Sequence, residues 1–208
     1  SYTDLLPGRE YTVIGQLMSK ETGKAYMNGD KAVTASAVFT PEKSSGKVDV
    51  TFVFEGKDLK GKSLVVYETL QYKEKDVAVH HDMDADGQTV YFPEIKTTAK
   101  DSETKIGLGL ADSQVTIVDT VSYEGLRPGV EYTMKGTLMD KATGKTIQSK
   151  GKDVIAETKF TAEKSAGRID VVFEFNAEDL AGTTTVVFEN LYYKDVEVAV
   201  HADLTDDG

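Results

Sequence analysis

Short runs in which apolar and polar residues alternate recur along the whole chain, with a period of two rather than 3.6. In the second half they fall at 131–139, 152–160, 168–175, 183–192 and 197–201, and each is rich in Val, Thr, Phe and Tyr. Such residues suit a pleated surface buried on one side, so each run predicts a β-strand. Turn signals separate them, namely Arg127-Pro128-Gly129, Ala142-Thr143-Gly144-Lys145 and Ser165-Ala166-Gly167. One stretch breaks the period: Asn176-Ala177-Glu178-Asp179-Leu180 offers a capping residue followed by helix formers and predicts a single helical turn. Evenly spaced strands with almost no helix predict an all-β antiparallel sandwich.

The pattern occurs twice. Residues 1–87 align without a gap on 122–208 at a constant offset of 121, and roughly half the positions are identical. Leu5-x-Pro7-Gly8-x-Glu10-Tyr11-Thr12 matches Leu126-x-Pro128-Gly129-x-Glu131-Tyr132-Thr133, and Gly15-x-Leu17-Met18 matches Gly136-x-Leu138-Met139. A repeat of this length is a domain, so two tandem domains are expected, 1–92 and 93–208. Pro93 ends the strand expected to carry Gln88, and the run from Ile95 to Ala99 starts the next domain. A linker so short predicts a stiff rod rather than loose beads. A complete unit, on this register, runs from about Ile95 to a glutamine at a would-be position 209. The first domain then lacks its N-terminal strand and the second its final, glutamine-bearing strand.

Composition narrows the role. A formal net charge of −11 argues against nucleic acid, whose phosphates demand a basic face, and against anionic lipid. No apolar run reaches eighteen residues, so no membrane insertion is expected. There is no cysteine, which fits the cytosol or an extracellular protein strengthened without disulfides.

Candidate chemistry gathers around the ends of the two units. Val77-Ala78-Val79-His80 reads as a strand with an apolar valine face, and alternation puts His80 with Ala78; Val198 to His201 repeats it. Asp82-x-Asp84-x-Asp86-Gly87 opens like a calcium loop, but the twelfth position, where a bidentate Glu is needed, is Pro93; a solvated acidic turn is the reading, and no metal or cofactor is expected. Glu68 and Glu189 each follow an apolar run, and Asp119 interrupts one, so these acids are candidates for burial. Thr97 shares a strand face with Ile95 and Ala99, while Thr98 shares the other with Lys96 and Lys100. No serine-hydrolase elbow, zinc spacing, phosphate loop or dinucleotide fingerprint is present.

Val186-Val187-Phe188-Glu189, Val198-Ala199-Val200-His201, the His80-to-Gln88 spacing and Asp119-Thr120-Val121-Ser122-Tyr123 together resemble the VaFE-type repeats of Gram-positive surface adhesins and pilus-like proteins. The resemblance covers nearly the whole chain. It implies Ig-like or CnaB-like sandwiches, each closed by a self-made ester between a first-strand threonine and a last-strand glutamine. It implies that the second unit supplies Thr97 as nucleophile (Thr98 being the weaker choice on parity), with Asp119, Glu189 and His201 assisting. The first unit would supply Glu68, His80 and the acceptor Gln88. The implied role is a structural shaft on the extracellular, cell wall-anchored surface, whose partners are neighbouring repeats of the same polypeptide, with another copy completing an open domain as a further case. Such a protein reacts with itself once and is not an enzyme. The alternative is a ligand-binding adhesin module that recognises a host protein or glycan.

Overall fold

The computed structural model describes residues 1–206 and divides into two compact units, Ser1–Tyr91 and a second that begins at Phe92. Both are built almost wholly from β-strands, as the alternating pattern predicts, and the chain forms two tandem antiparallel β-sandwich domains. Among the described residues no helix is long and apolar enough to cross a membrane.

The second unit is the fuller sandwich. One sheet runs β13-β10-β15-β16, from Ile155–Thr161, Glu131–Asp140, Thr185–Tyr193 and Val196–His201. The other runs β14-β9-β8, from Gly167–Phe175, Val115–Glu124 and Glu94–Asp101. Every ladder in both sheets is antiparallel. Along β10 burial alternates strictly from Tyr132 through Met134 and Gly136 to Leu138, so one face enters the core and the other meets solvent. Phe173, Leu126, Met134, Leu138, Leu191, Val121 and Val171 fill the space between the sheets and are essentially inaccessible. The predicted helical turn is a 3₁₀ turn at Glu178–Leu180, and the Asn176 side chain accepts a hydrogen bond from the Glu178 amide at 3.1 Å.

In the first unit the sheet β4-β1-β5-β6 repeats this layout with Thr34–Phe39, Tyr11–Ser19, Lys62–Tyr72 and Lys75–His80. β7, Thr89–Phe92, also pairs with β5. The segment 46–54, the counterpart of β14, is not in a ladder but keeps the same alternation, with Val50 and Phe52 half-buried where Val171 and Phe173 are buried. The reason lies in the register. β14 pairs along its length with β9, of which the first unit holds only the counterpart of the last residues; the single bridge Tyr2–Gly46 reproduces the pair Tyr123–Gly167.

One expectation needs correction. Gln88 is not on a strand: it ends a 3₁₀ turn, Asp86–Gln88, immediately before β7. The valine face opposite the histidines is uneven: Val77, Val79 and Val200 are more than half exposed, while Val198 packs partly buried against the core. A β-bulge accounts for this. Leu191 pairs with Ala199 and Tyr192 with Glu197, so Val198 is an extra residue; Val77 is the extra residue in β6. One added residue reverses which face follows it. Past the bulge Ala199 and His201 turn inward and Val200 turns out.

Candidate functional site

The inward turn of the histidines brings them beside the glutamates. Glu189 pairs with His201 on one side and with Gly136 on the other, and the first unit repeats the row as His80, Glu68 and Gly15. From the facing sheet Asp119 pairs with Ala99, two positions along β8 from Thr97. β8 also packs against β15 and β16, so Thr97, Asp119, Glu189 and His201 come together between the sheets of the second unit.

Burial is severe. Asp119 and Glu189 are both 0% exposed. Thr97 Oγ1 and all four carboxyl oxygens of the two acids are buried, and no hydrogen bond of normal geometry reaches any of them. Thr98 is the strand neighbour that turns away; its contribution is a backbone amide near Asp119. Two carboxylates this close cannot both be ionised in a dry site, because each only accepts hydrogen bonds and each repels the other. Desolvation pushes the Glu189 carboxyl up to about 9, and the nearby Asp119 side chain adds to the rise. Asp119 is raised as well, by burial first; Glu189, the Thr97 hydroxyl, the Thr98 amide and the charge of His201 pull it back. The pair therefore holds a proton at neutral pH, and Glu189 carries it. A protonated glutamate supplies the donor that the two acids otherwise lack.

Room for Glu189 comes from Gly136. A Cβ built there would lie 2.4 Å from Phe173 Cζ and 2.7 Å from Glu189 Oε1. Gly15 serves Phe52 in the same way, at 2.4 Å. The glycine was visible in both copies of the motif, but a period-two reading gives no reason for it. His201 Nε2 meets Asp206 Oδ2 at 2.6 Å, a contact the repeat does not foretell because the matching residue is Ala85.

The first unit shows how a glutamine sits in the same place. Gln88 Nε2 donates to Glu68 Oε2 at 3.1 Å and lies 3.3 Å from His80 Nδ1. Glu68, His80 and Gln88 are thus brought together, while Thr97, Asp119, Glu189 and His201 form their own group in the other unit. Rotating the side-chain amide by 180° exchanges its nitrogen and oxygen, so the same seat accommodates a glutamate that donates. Asp82 Oδ1 accepts from the Asp84 amide in an exposed turn, and among the described residues no group of three or more acids or histidines is placed to hold a metal ion. His81 stays on the surface, stacked on Tyr67 at 4.9 Å. Asp207 and Gly208, which end the second copy of the motif, lie outside the described residues.

Comparison with known proteins gives a family. A family model described as "T-Q ester bond containing domain" matches residues 1–92 and again 93–208. A search of curated proteins finds no match. Among solved structures, two crystal forms of an adhesin from Mobiluncus mulieris, titled as containing intramolecular disulfide, isopeptide and ester bond cross-links, align at 17% and 18% identity with TM-scores of 0.46 and 0.43. Each alignment covers 55% of this chain and 54% of the adhesin chain, so this chain matches about half of that length. A β-glucuronidase of glycoside hydrolase family 2 aligns over 96% of this chain and 22% of its own, at 8% identity and a TM-score of 0.36.

Proposed function

The chain belongs to the family of T-Q ester bond containing domains, and from that premise we propose that it is a structural segment of a cell-surface adhesin stiffened by threonine–glutamine esters. One observation carries the chemical half of this reading. The second unit buries a threonine hydroxyl beside a carboxyl pair that keeps a proton, and the first seats a glutamine against the same glutamate and histidine positions.

The reaction follows from these groups. His201 takes the proton of Thr97 as its oxygen attacks the glutamine side-chain carbonyl carbon, since a neutral hydroxyl is a weak nucleophile without a base. Glu189, protonated, donates to the carbonyl oxygen as negative charge grows on it. Asp119 holds the remaining charge beside the imidazolium. The C–N bond breaks, the imidazolium returns its proton to the leaving nitrogen, and ammonia departs. One hydroxyl and one primary amide become one ester and one ammonia. The dry site then keeps water from the ester. Each domain reacts with itself once, so the protein is not an enzyme in the usual sense.

The bond would close a loop of about 110 residues, worth roughly 4 to 5 kcal/mol if a cross-link of any chemistry restricts the unfolded chain as a disulfide does. Its mechanical value is larger, because tension entering at the first strand leaves at the last without loading the ladders between. That makes a cysteine-free domain fit for a shaft on the outside of a Gram-positive cell, in line with neighbouring repeats as its partners. Single-molecule pulling tests the role. The chain is extended past Gly208 by a second copy of residues 88–92, which places a glutamine at the position matching Gln88. The second unit should then resist extension at forces that unfold its Thr97→Ala variant. Equal unfolding lengths and forces for the two would refute the shaft reading. Saturable binding of a host glycan or matrix protein would favour a ligand-binding module instead.

A further inference from the structure

Asp206 lies outside every motif that the two units share, and it touches the histidine. In the first unit the side chain of Gln88 meets His80 at Nδ1, 3.3 Å away. With its N–H turned to Nδ1, as here, the amide requires a lone pair there, which puts the ring proton of a neutral imidazole on Nε2; turned by 180° it would present its oxygen and call for the other tautomer. In the second unit His201 presents Nε2 to Asp206 Oδ2 at 2.6 Å, and the two side chains are 22% and 26% exposed. A carboxylate only accepts, so this contact also demands a proton on Nε2. With the amide in this orientation, the two units reach the same tautomer from opposite sides of the ring.

We propose that Asp206 is a positioning residue of the second unit, which holds His201 with its proton on Nε2 so that Nδ1 is the free base facing the buried threonine. The inference rests on the cross-linking reading for its purpose, but not for its test. The carboxylate does for His201 what the orienting acid does in a hydrolase triad: it selects the tautomer and fixes the ring plane. Asp119 does not fill this post, since it reaches the site from the opposite sheet beside Thr97 and Glu189. The acid is built in locally. Asp203 Oδ1 accepts from the Thr205 amide and hydroxyl at 2.8 and 2.7 Å, shaping the turn, and Lys141 Nζ donates to the Asp206 carbonyl at 2.8 Å. The backbone of residue 206 is therefore anchored independently of its carboxylate. Ala85 stands at the matching place in the first unit, so the carboxylate contact has no counterpart at that position.

The test is the long-range ¹⁵N–¹H spectrum of the three histidines in the chain as it stands, at a pH where imidazoles are neutral. His201 should show a protonated Nε2 and a bare Nδ1. Asp206→Asn, whose amide donates to Nε2, should move His201 toward the Nδ1–H form, and Asp206→Ala should give a mixture, with His80 and His81 unchanged in both. A wild-type His201 with its proton on Nδ1, or on both nitrogens, overturns the proposal. So does a tautomer indifferent to both substitutions. Circular dichroism of the variants separates a lost fold from a lost contact. Failure of ester formation in an extended chain would leave this spectrum unchanged, so the two ideas fail separately.

Discussion

Gly136→Ala tests the packing that seats the buried glutamate. The added methyl would stand 2.4 Å from Phe173 Cζ and 2.7 Å from Glu189 Oε1, distances at which something must move. Phe173 is 1% exposed and Glu189 0%, so neither has space to yield. Overpacking of this kind costs about 1–3 kcal/mol, and the loss of glycine's freedom in the unfolded chain returns roughly 0.4–1 kcal/mol. The net loss should be about 1–2 kcal/mol, a fall of roughly 4–12 °C in the melting temperature of a domain this size. Gly15→Ala makes the same 2.4 Å clash with Phe52, but that ring is only half-buried and swings outward. Its cost should be clearly smaller. Urea unfolding, followed by tyrosine fluorescence and fitted to the two domains separately, measures both. If Gly136→Ala is neutral, or Gly15→Ala costs as much, the seat is not what the glycine provides.

Other outcomes follow from the same geometry. An unfolded glutamate loses its proton near 4.5 and the folded Glu189 near 9, so between these values the unfolded state binds fewer protons and stability must fall as pH rises. The slope from this group is at most about 1.4 kcal/mol per pH unit, and Glu189→Gln should remove it; an unchanged slope in denaturant titrations from pH 5 to 9 would sink the buried-proton argument. Phe173→Ala should cost about 3–5 kcal/mol, and Phe52→Ala distinctly less because its ring already meets solvent; equal losses by the same titration would deny the difference between the two units.

Much of this was legible beforehand because burial leaves a mark on strands. The alternation along 131–139 marks β10, and the parity of Ile95, Thr97 and Ala99 predicts the inward face that Thr97 Oγ1 occupies. The constant offset of the repeat matched Glu68 to Glu189 and His80 to His201, and both pairs share a register row. What escaped was set by single-residue geometry. A bulge at Val198 has no composition signal, so nothing in the alternation marks where the faces shift. The turn at Gln88 looked like strand because Thr89 and Val90 follow it. The Asp206 contact depends on where a loop folds back, and Ala85 in the other copy pointed away from it. The carboxyl pair joins residues from two sheets, a distance no spacing within either strand reports.

The central claim is a covalent bond between Thr97 and the glutamine that completes the second unit. Peptide mapping of the chain extended past Gly208 by residues 88–92 tests it most directly. Proteolysis should yield one species joining the Thr97 peptide to the glutamine peptide, lighter than their sum by one ammonia. It should be absent from Thr97→Val, present in Thr98→Val, and split by hydroxylamine. Recovery of the two peptides separately at their unmodified masses, from folded protein, would contradict the account.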